Sequence, residues 1–384
     1  MVACLMPVLN QRFYRPELDA LRFFAFLIVF LFHGMDYFIV HPFRNVEVFH
    51  WPWIGQWGVP LFFFLSAFLI TELLLREQGQ FGKVHLGSFY VRRILRIWPL
   101  YFAAFWGFAL LNVWIPKVNP GVSHTWPWFT FFLANQYIAH HGWIAGPVDP
   151  LWSVSVEEQF YLFIPFILAL GGRWALRVAC AVVLLISYFA IWRYARISWT
   201  ADNGEWTNSL VMFQFFAGGA LLSDALRGRV PRWNGYCRIL IGGAGIACWV
   251  IAQTVFRVRG WEPFTTVSQA FSGWPLILLG CVLLLLAFLG TEPQKFPKIV
   301  IYLGRISFGL YIFHSLVYDL IFTYLAPHVF SLTRDERWHL PLVWILVALA
   351  FFSSVGIASL SYRYFERPFL RLKEKFAFIP SRAE

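Results

Sequence analysis

Apolar segments long enough to cross a bilayer follow one another along almost the whole of this 384-residue chain. About 30 Å of hydrocarbon requires about 20 helical residues, and stretches near that length recur from residue 21 to residue 362. Charged residues make up 13% of the sequence, whereas soluble domains carry about 25%. The sequence therefore predicts an all-α integral membrane protein, built as a bundle of about ten transmembrane helices.

No linker, low-complexity tract or convincing repeat divides the chain, so we expect a single membrane-embedded domain over residues 1–384 with no fused soluble domain. Both termini are predicted to be cytoplasmic. The ten predicted spans are 21–40, 57–75, 97–115, 155–171, 174–193, 209–223, 238–256, 274–290, 301–325 and 341–362.

The net charge of +11 raises the question of an acidic partner such as a nucleic acid. With the spans placed as above, 23 of the 31 basic residues fall on the cytoplasmic side. Cytoplasmic loops of membrane proteins carry such an excess of Lys and Arg. The positive charge is thereby explained, and we expect no nucleic-acid partner.

The first twenty residues argue against a removed signal peptide, and the cysteine spacing argues against a metal site. The first twenty residues contain Arg12 and Arg15 but no short apolar core before a cleavage site, so a removed signal peptide is not expected. The five cysteines show no CxxC spacing, and we predict neither a disulfide framework nor a metal site.

Arg22 and His33 lie on one face of the first predicted span. Eleven residues make three helical turns plus about 20°, and they rise about 16 Å. Ionisable residues inside a membrane helix are costly and mark functional sites by default. Asp36, one turn further on, is placed to orient the imidazole. His33 is then a candidate general base; the alternative is a core histidine bonded to a neighbouring carbonyl.

Glu157 and Glu158 are adjacent carboxylates at the start of an otherwise apolar span, with Ser153 and Ser155 as candidate helix caps. Acidic residues suit helix N-termini, so one of the two has a purely structural explanation. Adjacent residues point about 100° apart on a helix. We therefore expect only one of them to face the stripe that carries His33.

Three arginines, Arg92, Arg93 and Arg96, lie at the cytoplasmic end of the third predicted span. Ordinary positive-inside anchoring explains such a cluster. The alternative is phosphate recognition, for which guanidinium groups at one-turn spacing are well shaped. With Arg22 at the same level, the cluster predicts a site for an anionic cofactor head group.

Taken together, these motifs resemble the acyltransferase-3 family of bacterial membrane O-acyltransferases over roughly residues 12–374. The Arg and His separated by ten residues match Arg22 and His33, and an RxxR pair matches Arg93 and Arg96. Ala67 departs from the pattern, which usually has Gly there, and this puts local packing in doubt. The matching blocks are RPELDALRFFAFLIVFLFH (15–33), WGVPLFFFLSAFLITELLL (57–75), RRILRIWPLYF (92–102), LWSVSVEEQFYLFIP (151–165), ISFGLYIFHSLV (306–317) and SYRYFERPF (361–369).

The resemblance implies an O-acyltransferase of the bacterial inner membrane that moves an acyl group, most often acetyl, from cytoplasmic acyl-CoA to a hydroxyl of a glycan. Some family members carry a fused extracytoplasmic esterase-like domain; this chain ends shortly after the tenth predicted span. A second step of that kind would then need another protein. No metal is implied.

We accordingly predict His33, Glu157, Glu158 and Asp36 as catalytic residues, and Arg22, Arg92, Arg93 and Arg96 as the acetyl-CoA site. Loop 116–154, rich in Pro, Gly and aromatic residues, is predicted to lie outside as an interfacial or re-entrant piece near the glycan. The alternative function is a secondary transporter or exporter, which also uses buried His, Glu and Arg. The predicted substrate-binding residues are Asp19, Trp152, Ser155, Tyr161 and His314.

Overall fold

The computed structural model describes residues 13–40, 51–115, 122–144, 146–196, 204–260, 266–332 and 338–379, and these ranges are predominantly helical. Eight of their helices are long and apolar enough to cross a membrane. In chain order the α-helices, α1 to α15, are Pro16–Val40, Gly58–Phe81, Leu86–Trp114, Val122–Thr130, Ala134–His141, Leu151–Arg196, Gly204–Thr207, Ser209–Leu226, Gly235–Thr254, Val267–Phe288, Lys298–Arg305, Ser307–Leu320, Ala326–Ser331, His339–Ser361 and Arg367–Glu374. A 3-10 helix, Trp51–Trp57, precedes α2, and π-helical turns, Ile321–Leu325 and Tyr362–Glu366, precede α13 and α15.

The predicted spans coincide with helices, so the all-α expectation is confirmed. The 46-residue helix α6 is two helices joined at Gly172, whose φ of 56° and ψ of −143° are not helical. Spans 155–171 and 174–193 lie on either side of this kink. The number ten and the side on which the termini lie stay predictions.

Segment 116–154, predicted to be interfacial or re-entrant, contains the short helices α4 and α5 before α6 begins. Residues 116–121 and 145 of this segment lie outside the described residues. Pro127 lies inside α4, and Phe132, between the two helices, has a φ of 55°. Neither helix approaches the length needed to cross a bilayer.

The second helix, α2, is the centre of the bundle, because 83% of its most apolar window is buried. It packs closely on α8 at Gly219, where an added Cβ would lie 2.3 Å from the carbonyl oxygen of Phe64. The same Cβ would lie 3.1 Å from the Cβ of Ala67, which is fully buried. The Ala67 departure from the family pattern is therefore accommodated by a glycine on the opposite helix.

Helix α1 is held equally closely at its beginning. A Cβ added to Gly304 in α11 would lie 1.7 Å from the carbonyl oxygen of Asp19. Only a residue without a side chain allows the two backbones to approach to this distance. The start of α1, which carries Asp19 and Arg22, is thereby fixed against α11.

Buried residues form two hydrophobic cores. The larger combines residues of α1, α2, α8, α10, α12 and α14. The smaller combines the end of α2 with α3, the short helices α4 and α5, and the first half of α6. The buried polar groups of the candidate site lie between these cores, where α1, α2, α3, α6 and α12 meet.

A buried amide network joins the short helices to the bundle. Gln159 Nε2 donates to the side-chain oxygen of Asn135 at 3.0 Å and to the carbonyl of Phe132 at 2.9 Å. Asn135 Nδ2 donates to Ser209 at 2.8 Å, and the Ser209 hydroxyl donates to Gln159. Buried polar groups that are satisfied in this way specify one packing arrangement. Gln159, next to the two glutamates in sequence, therefore has a structural role.

Candidate active site

A cavity of about 130 Å³, here called the arginine cavity, opens where α1 and α3 begin and α2 ends. Its charged lining comes from α1, α2, α3, α15 and the residue that precedes α1. These charged residues are Arg15, Asp19, Arg22, Glu77, Arg92, Arg93, Arg96 and Lys373. Cations outnumber carboxylates in this lining, and the cavity therefore suits an anionic ligand.

Some of these cations are already paired with acids of the bundle. Arg22 contacts Asp19 at 3.1 Å, and Asp19 also accepts from the hydroxyl of Tyr14 at 2.8 Å. Arg92 contacts Glu77 at 3.2 Å and donates to the carbonyl of Phe376 at 3.2 Å. Arg92 thus ties α3 to α2 and to the segment after α15, as well as lining the cavity.

Arg93 and Arg96, one turn apart on α3, line both the arginine cavity and a second cavity deeper in the bundle. The guanidinium of Arg93 lies over the Tyr161 ring, 5.4 Å from its centroid. Its Nε is buried and has no hydrogen-bond partner among the described residues. A buried donor in this state is costly and is typical of a group that binds a ligand.

The deep cavity has a volume of about 100 Å³ and shares Arg22 and Ser66 with the arginine cavity. Its polar lining comes from α2, α6 and α12, and its apolar lining includes Val59, Phe62 and Ile97. The two cavities form one track from the guanidinium groups into the bundle. The polar residues of the deep cavity, apart from the arginines, are Ser66, Ser153, Glu157, Tyr161, Ser307 and Tyr311.

The two adjacent glutamates point to different places. Glu157 lines the deep cavity and accepts hydrogen bonds from the hydroxyls of Ser66 and Tyr161 on the same oxygen. Glu158 accepts from the indole N–H of Trp98 at 2.9 Å, and its Oε1 is buried without a partner in the described structure. Glu157, and not Glu158, therefore lines the deep cavity.

His33 pairs with His314. The Nδ1 of His33 lies 2.8 Å from the Nε2 of His314, and the rings stack with centroids 5.0 Å apart. The Nδ1 of His314 lies 2.7 Å from the carbonyl oxygen of Tyr311. Among the described residues, the hydrogen-bond partner of His33 is thus a histidine. The side chain of Asp36, the predicted orienting group, lies outside the described residues.

Tyr311 connects the two parts of the site. Its hydroxyl lies 2.9 Å from that of Ser153 at the deep cavity, and its carbonyl oxygen faces His314. Its ring also lies 5.5 Å from the His314 ring, centroid to centroid. Among the described residues that line the two cavities, neither histidine is present. The cavity track therefore ends at Tyr311, with the imidazoles beyond it.

Two predicted substrate-binding residues lie away from these cavities. Trp152 is buried among aromatic rings, edge-on to Phe63 and 6.3 Å from Trp206 between centroids. Ser155 is fully buried and approaches the carbonyl oxygen of Leu151 in its own helix at 3.5 Å. Of the other three, Asp19 lines the arginine cavity, Tyr161 lines the deep cavity, and His314 contacts His33.

Several polar lining residues were not predicted for the site, among them Ser66, Tyr311, Ser307 and Lys373. A hydroxyl at Ser66, inside an otherwise apolar span, is a signal that the sequence offers. Tyr311 has no such signal, because tyrosines are common in membrane helices. Lys373 belongs to the C-terminal helix α15 and is placed at the arginine cavity only by the tertiary fold.

Residues 15–363 match the sequence model of an acyltransferase domain, acyltransferase-3. The chain belongs to the acyltransferase-3 family. The resemblance drawn from the sequence motifs is confirmed, and the protein is a multi-pass membrane protein with at least eight apolar helices of sufficient length within the described residues.

Three curated relatives carry names of one type. The chain is 27% identical to the putative peptidoglycan O-acetyltransferase YrhL of Bacillus subtilis, over 92% of this chain and 55% of that protein. It is 25% identical to the peptidoglycan O-acetyltransferase OatA of Listeria monocytogenes, over 93% and 56%. It is 24% identical to a putative O-acetyltransferase of Staphylococcus aureus, SAS0844, over 93% and 57%. The chain thus spans little more than half the length of these relatives. No solved structure is significantly similar to it.

Proposed function

We propose that this protein is an O-acetyltransferase of the bacterial cytoplasmic membrane, with ten spans and both termini cytoplasmic. It moves the acetyl group of acetyl-CoA to a hydroxyl of a cell-surface or exported glycan. The names of the relatives support acetyl transfer, and two of the three name peptidoglycan. The cation-rich cavity supports an anionic donor such as a CoA thioester.

The line of hydrogen bonds from Tyr311 through His314 to His33 is the observation that carries this proposal. A carbonyl oxygen only accepts, so the Nδ1 of His314 donates to Tyr311. In neutral His314 the Nε2 then carries a lone pair and is an acceptor. The Nδ1–H of His33 donates to it. The Nε2 of His33 is consequently left with a lone pair. This is the tautomer that a general base requires.

Donor binding is assigned to the arginine cavity. Arg93 and Arg96, with Arg22 opposite, bind the phosphates of CoA, and Arg92 contributes while it is also held by Glu77. The pantetheine arm follows the track into the deep cavity, whose lining includes Val59, Phe62 and Ile97. The thioester then reaches the neighbourhood of Tyr311, next to the paired imidazoles.

In the transfer step, the acceptor oxygen attacks the thioester carbonyl carbon while the Nε2 of His33 takes the hydroxyl proton. The C–S bond breaks as the ester forms, and the proton passes from His33 to the leaving thiolate of CoA. His314 positions His33 and shares the positive charge. General acid–base help of this kind is worth about 10²–10⁴-fold. Glu157, held by Ser66 and Tyr161, sets the electrostatic field at the deep cavity beside Arg93.

The test uses detergent-purified protein and radiolabelled acetyl-CoA. We expect saturable binding of acetyl-CoA, and we expect acetyl transfer to glycan in membranes, seen as a mass increase of one acetyl group that disappears with the gene. A transporter or a purely structural membrane protein would bind no acetyl-CoA. Absence of binding by well-folded protein would overturn the proposal.

A covalent route through acetylated His33 predicts a different result. Incubation with labelled acetyl-CoA and no acceptor would leave the label on the protein. Direct attack predicts that the purified enzyme carries no stable label.

A further inference from the structure

A third cavity, of about 240 Å³, opens at the same end of the bundle but shares no lining residue with the other two. It lies where α2 and α8 end and where α6 kinks at Gly172. Its polar lining is formed by Glu72, Arg76, Arg173, Ser223, Arg227 and Gly228. The acetyl-transfer chemistry proposed above makes no use of it.

The cations around this cavity exceed the acids. Glu72 receives both Arg76, at 2.8 Å, and Arg15, at 2.7 Å. Asp224 likewise receives Arg173 and Arg177, each at 2.7 Å. Each carboxylate therefore holds two guanidinium groups. Arg15 also contacts Glu17 at 3.9 Å, whereas Arg173 and Arg177 share Asp224, so the Asp224 set carries one positive charge in excess.

Arg227 adds a further cation with no ion pair in the described part of the chain. It occupies the left-handed region at the end of α8, with a φ of 51°. Glycine is the residue that this conformation favours. The arginine thus costs backbone energy at a position where its guanidinium lines the cavity.

A buried hydroxyl points to a ligand independently of the charges. Ser223 is only 2% exposed, lines the cavity, and its Oγ has no hydrogen-bond partner among the described residues. Buried polar groups in native proteins are nearly always satisfied. An oxygen-rich anion in the cavity supplies the acceptor that this hydroxyl lacks.

The surface beside the cavity is apolar. Leu170 and Trp174, on either side of the α6 kink, are 87% and 74% exposed. Tryptophan is enriched at the membrane–water interface, where lipid phosphates lie. Arg173, between them in sequence, is therefore at the depth of lipid head groups.

We propose that this cavity binds a phosphate group, carried by an anionic phospholipid or by a soluble phosphate. Several guanidinium groups around one polar cavity match the oxygens of a phosphate, with which arginine forms paired, charge-assisted hydrogen bonds. Glu72 lies between this cavity and the arginine cavity, because its partner Arg76 lines one and its partner Arg15 lines the other. A bound phosphate would therefore stabilise the region next to the donor site.

The experiment measures binding to the full-length purified protein in a neutral detergent, by native mass spectrometry and calorimetry. The probes are short-chain phosphatidylglycerol, phosphatidylcholine of the same chain length, and inorganic phosphate. The variant Arg227→Gln removes the unpaired cation. Arg229→Gln, two residues further along the same loop and outside the lining, is the matched control.

We expect phosphatidylglycerol to bind the wild type and the control, and to bind Arg227→Gln about tenfold more weakly. Phosphatidylcholine should bind weakly to all three. Inorganic phosphate that binds as tightly as the lipid, with the same dependence on Arg227, identifies a soluble phosphate as the ligand. Tighter lipid binding with competition by phosphate identifies the lipid. Equal binding of every probe to wild type and Arg227→Gln, or no binding to the wild type, overturns the proposal.

A second variant separates folding from binding. Arg227→Gly suits the left-handed backbone better, so it should melt no lower than the wild type while losing the same affinity. Binding of acetyl-CoA should be unchanged in both Arg227 variants, because Arg227 lies outside the donor track. The proposal is therefore independent of the acetyltransferase assignment.

Discussion

The arginine cavity and the histidine pair show two ways in which a membrane protein keeps polar groups inside a bundle. The cavity holds many charges from separate helices, and its two acids, Asp19 and Glu77, are paired with Arg22 and Arg92. The histidine pair holds two rings that can both be neutral. Phe26, Phe30 and Tyr311 contact the His314 ring, and a backbone carbonyl accepts from its Nδ1. The first arrangement attracts a charged ligand, and the second fixes one proton position. The proposed acetyl transfer needs both, because its donor would be anionic and its acceptor hydroxyl must lose a proton.

The largest effect should come from the histidine side. His33→Ala removes the proposed base, and we expect acetyl transfer to fall by at least about 10²–10⁴-fold. Acetyl-CoA affinity should stay near that of the wild type, since His33 lies outside the two cavities that the described residues line. Transfer assays and binding assays on the same preparation check this. Substantial acetyl transfer by well-folded His33→Ala protein would contradict the proposal that His33 is the base.

For the arginine cavity we expect the opposite pattern, a loss of acetyl-CoA binding. Arg93→Gln together with Arg96→Gln should weaken acetyl-CoA binding by about 100-fold or more, because charge-assisted hydrogen bonds are worth roughly 1.5–3 kcal/mol each. The control is Arg371→Gln, an exposed guanidinium on α15 that lines neither cavity. Equal losses in the double variant and in the control would show that the effect is non-specific.

Glu157 and Glu158 allow a matched comparison of two neighbouring carboxylates on α6. Glu157→Gln should lower the transfer rate by about 10–100-fold, because it removes a charge at the deep cavity, a loss of about 1.4–2.7 kcal/mol of transition-state stabilisation. Glu158→Gln keeps an acceptor for the indole of Trp98 and should change the rate only a few-fold. Steady-state kinetics on both variants decide this. A larger loss in Glu158→Gln would reverse the assignment.

His314 is predicted to act through His33 and not on the substrate. His314→Leu deletes the acceptor for Nδ1 of His33, and we expect kcat to fall about tenfold with KM for acetyl-CoA unchanged. His314→Gln supplies another acceptor and should recover part of the rate. The pH profile of kcat/KM should shift in His314→Leu. If His314 had a merely structural role, kcat would fall equally in both variants and the pH profile of kcat/KM would not shift.

The smallest effect concerns a carboxylate that has no ion pair with any described residue. Glu205, in α7 between the long helices α6 and α8, is buried, and burial raises its pKa to about 8. Between pH 4.5 and 8 the folded state therefore binds a proton that the unfolded state has lost, so stability falls as the pH rises. Glu205→Gln should melt a few degrees higher than the wild type at pH 8.5, with little difference at pH 4.5. Melting curves at both values check this, and a difference at pH 4.5 alone would contradict it.

The sequence predicts the helical bundle because bilayer-length apolar segments allow few other structures. It also predicts Arg22, Arg93 and Arg96 at one site, since each is a charged residue at the end of a span. It predicts that the two glutamates diverge but not which one enters the site, because helix geometry gives the angle between them and not the neighbours.

The contact between His33 and His314 joins residues 281 positions apart, and no local pattern encodes it. The same holds for Lys373, which α15 brings back to the arginine cavity. Trp152, a predicted substrate-binding residue, packs against Phe63 and Trp206, contacts that its place in the sequence does not encode. Tertiary packing decides these positions.

Gly304 has a consequence for the whole reaction centre. The backbone of α11 presses on that of α1 at Asp19, and His33 follows about four turns later on the same continuous helix. A methyl group at residue 304 would displace the first turns of α1. Because the helix is stiff, the displacement would extend along its length. The displacement would change the distance between the Arg22 guanidinium and its partners. It would also change the orientation of the His33 imidazole. The lack of a side chain at residue 304 thus fixes the position of both Arg22 and His33.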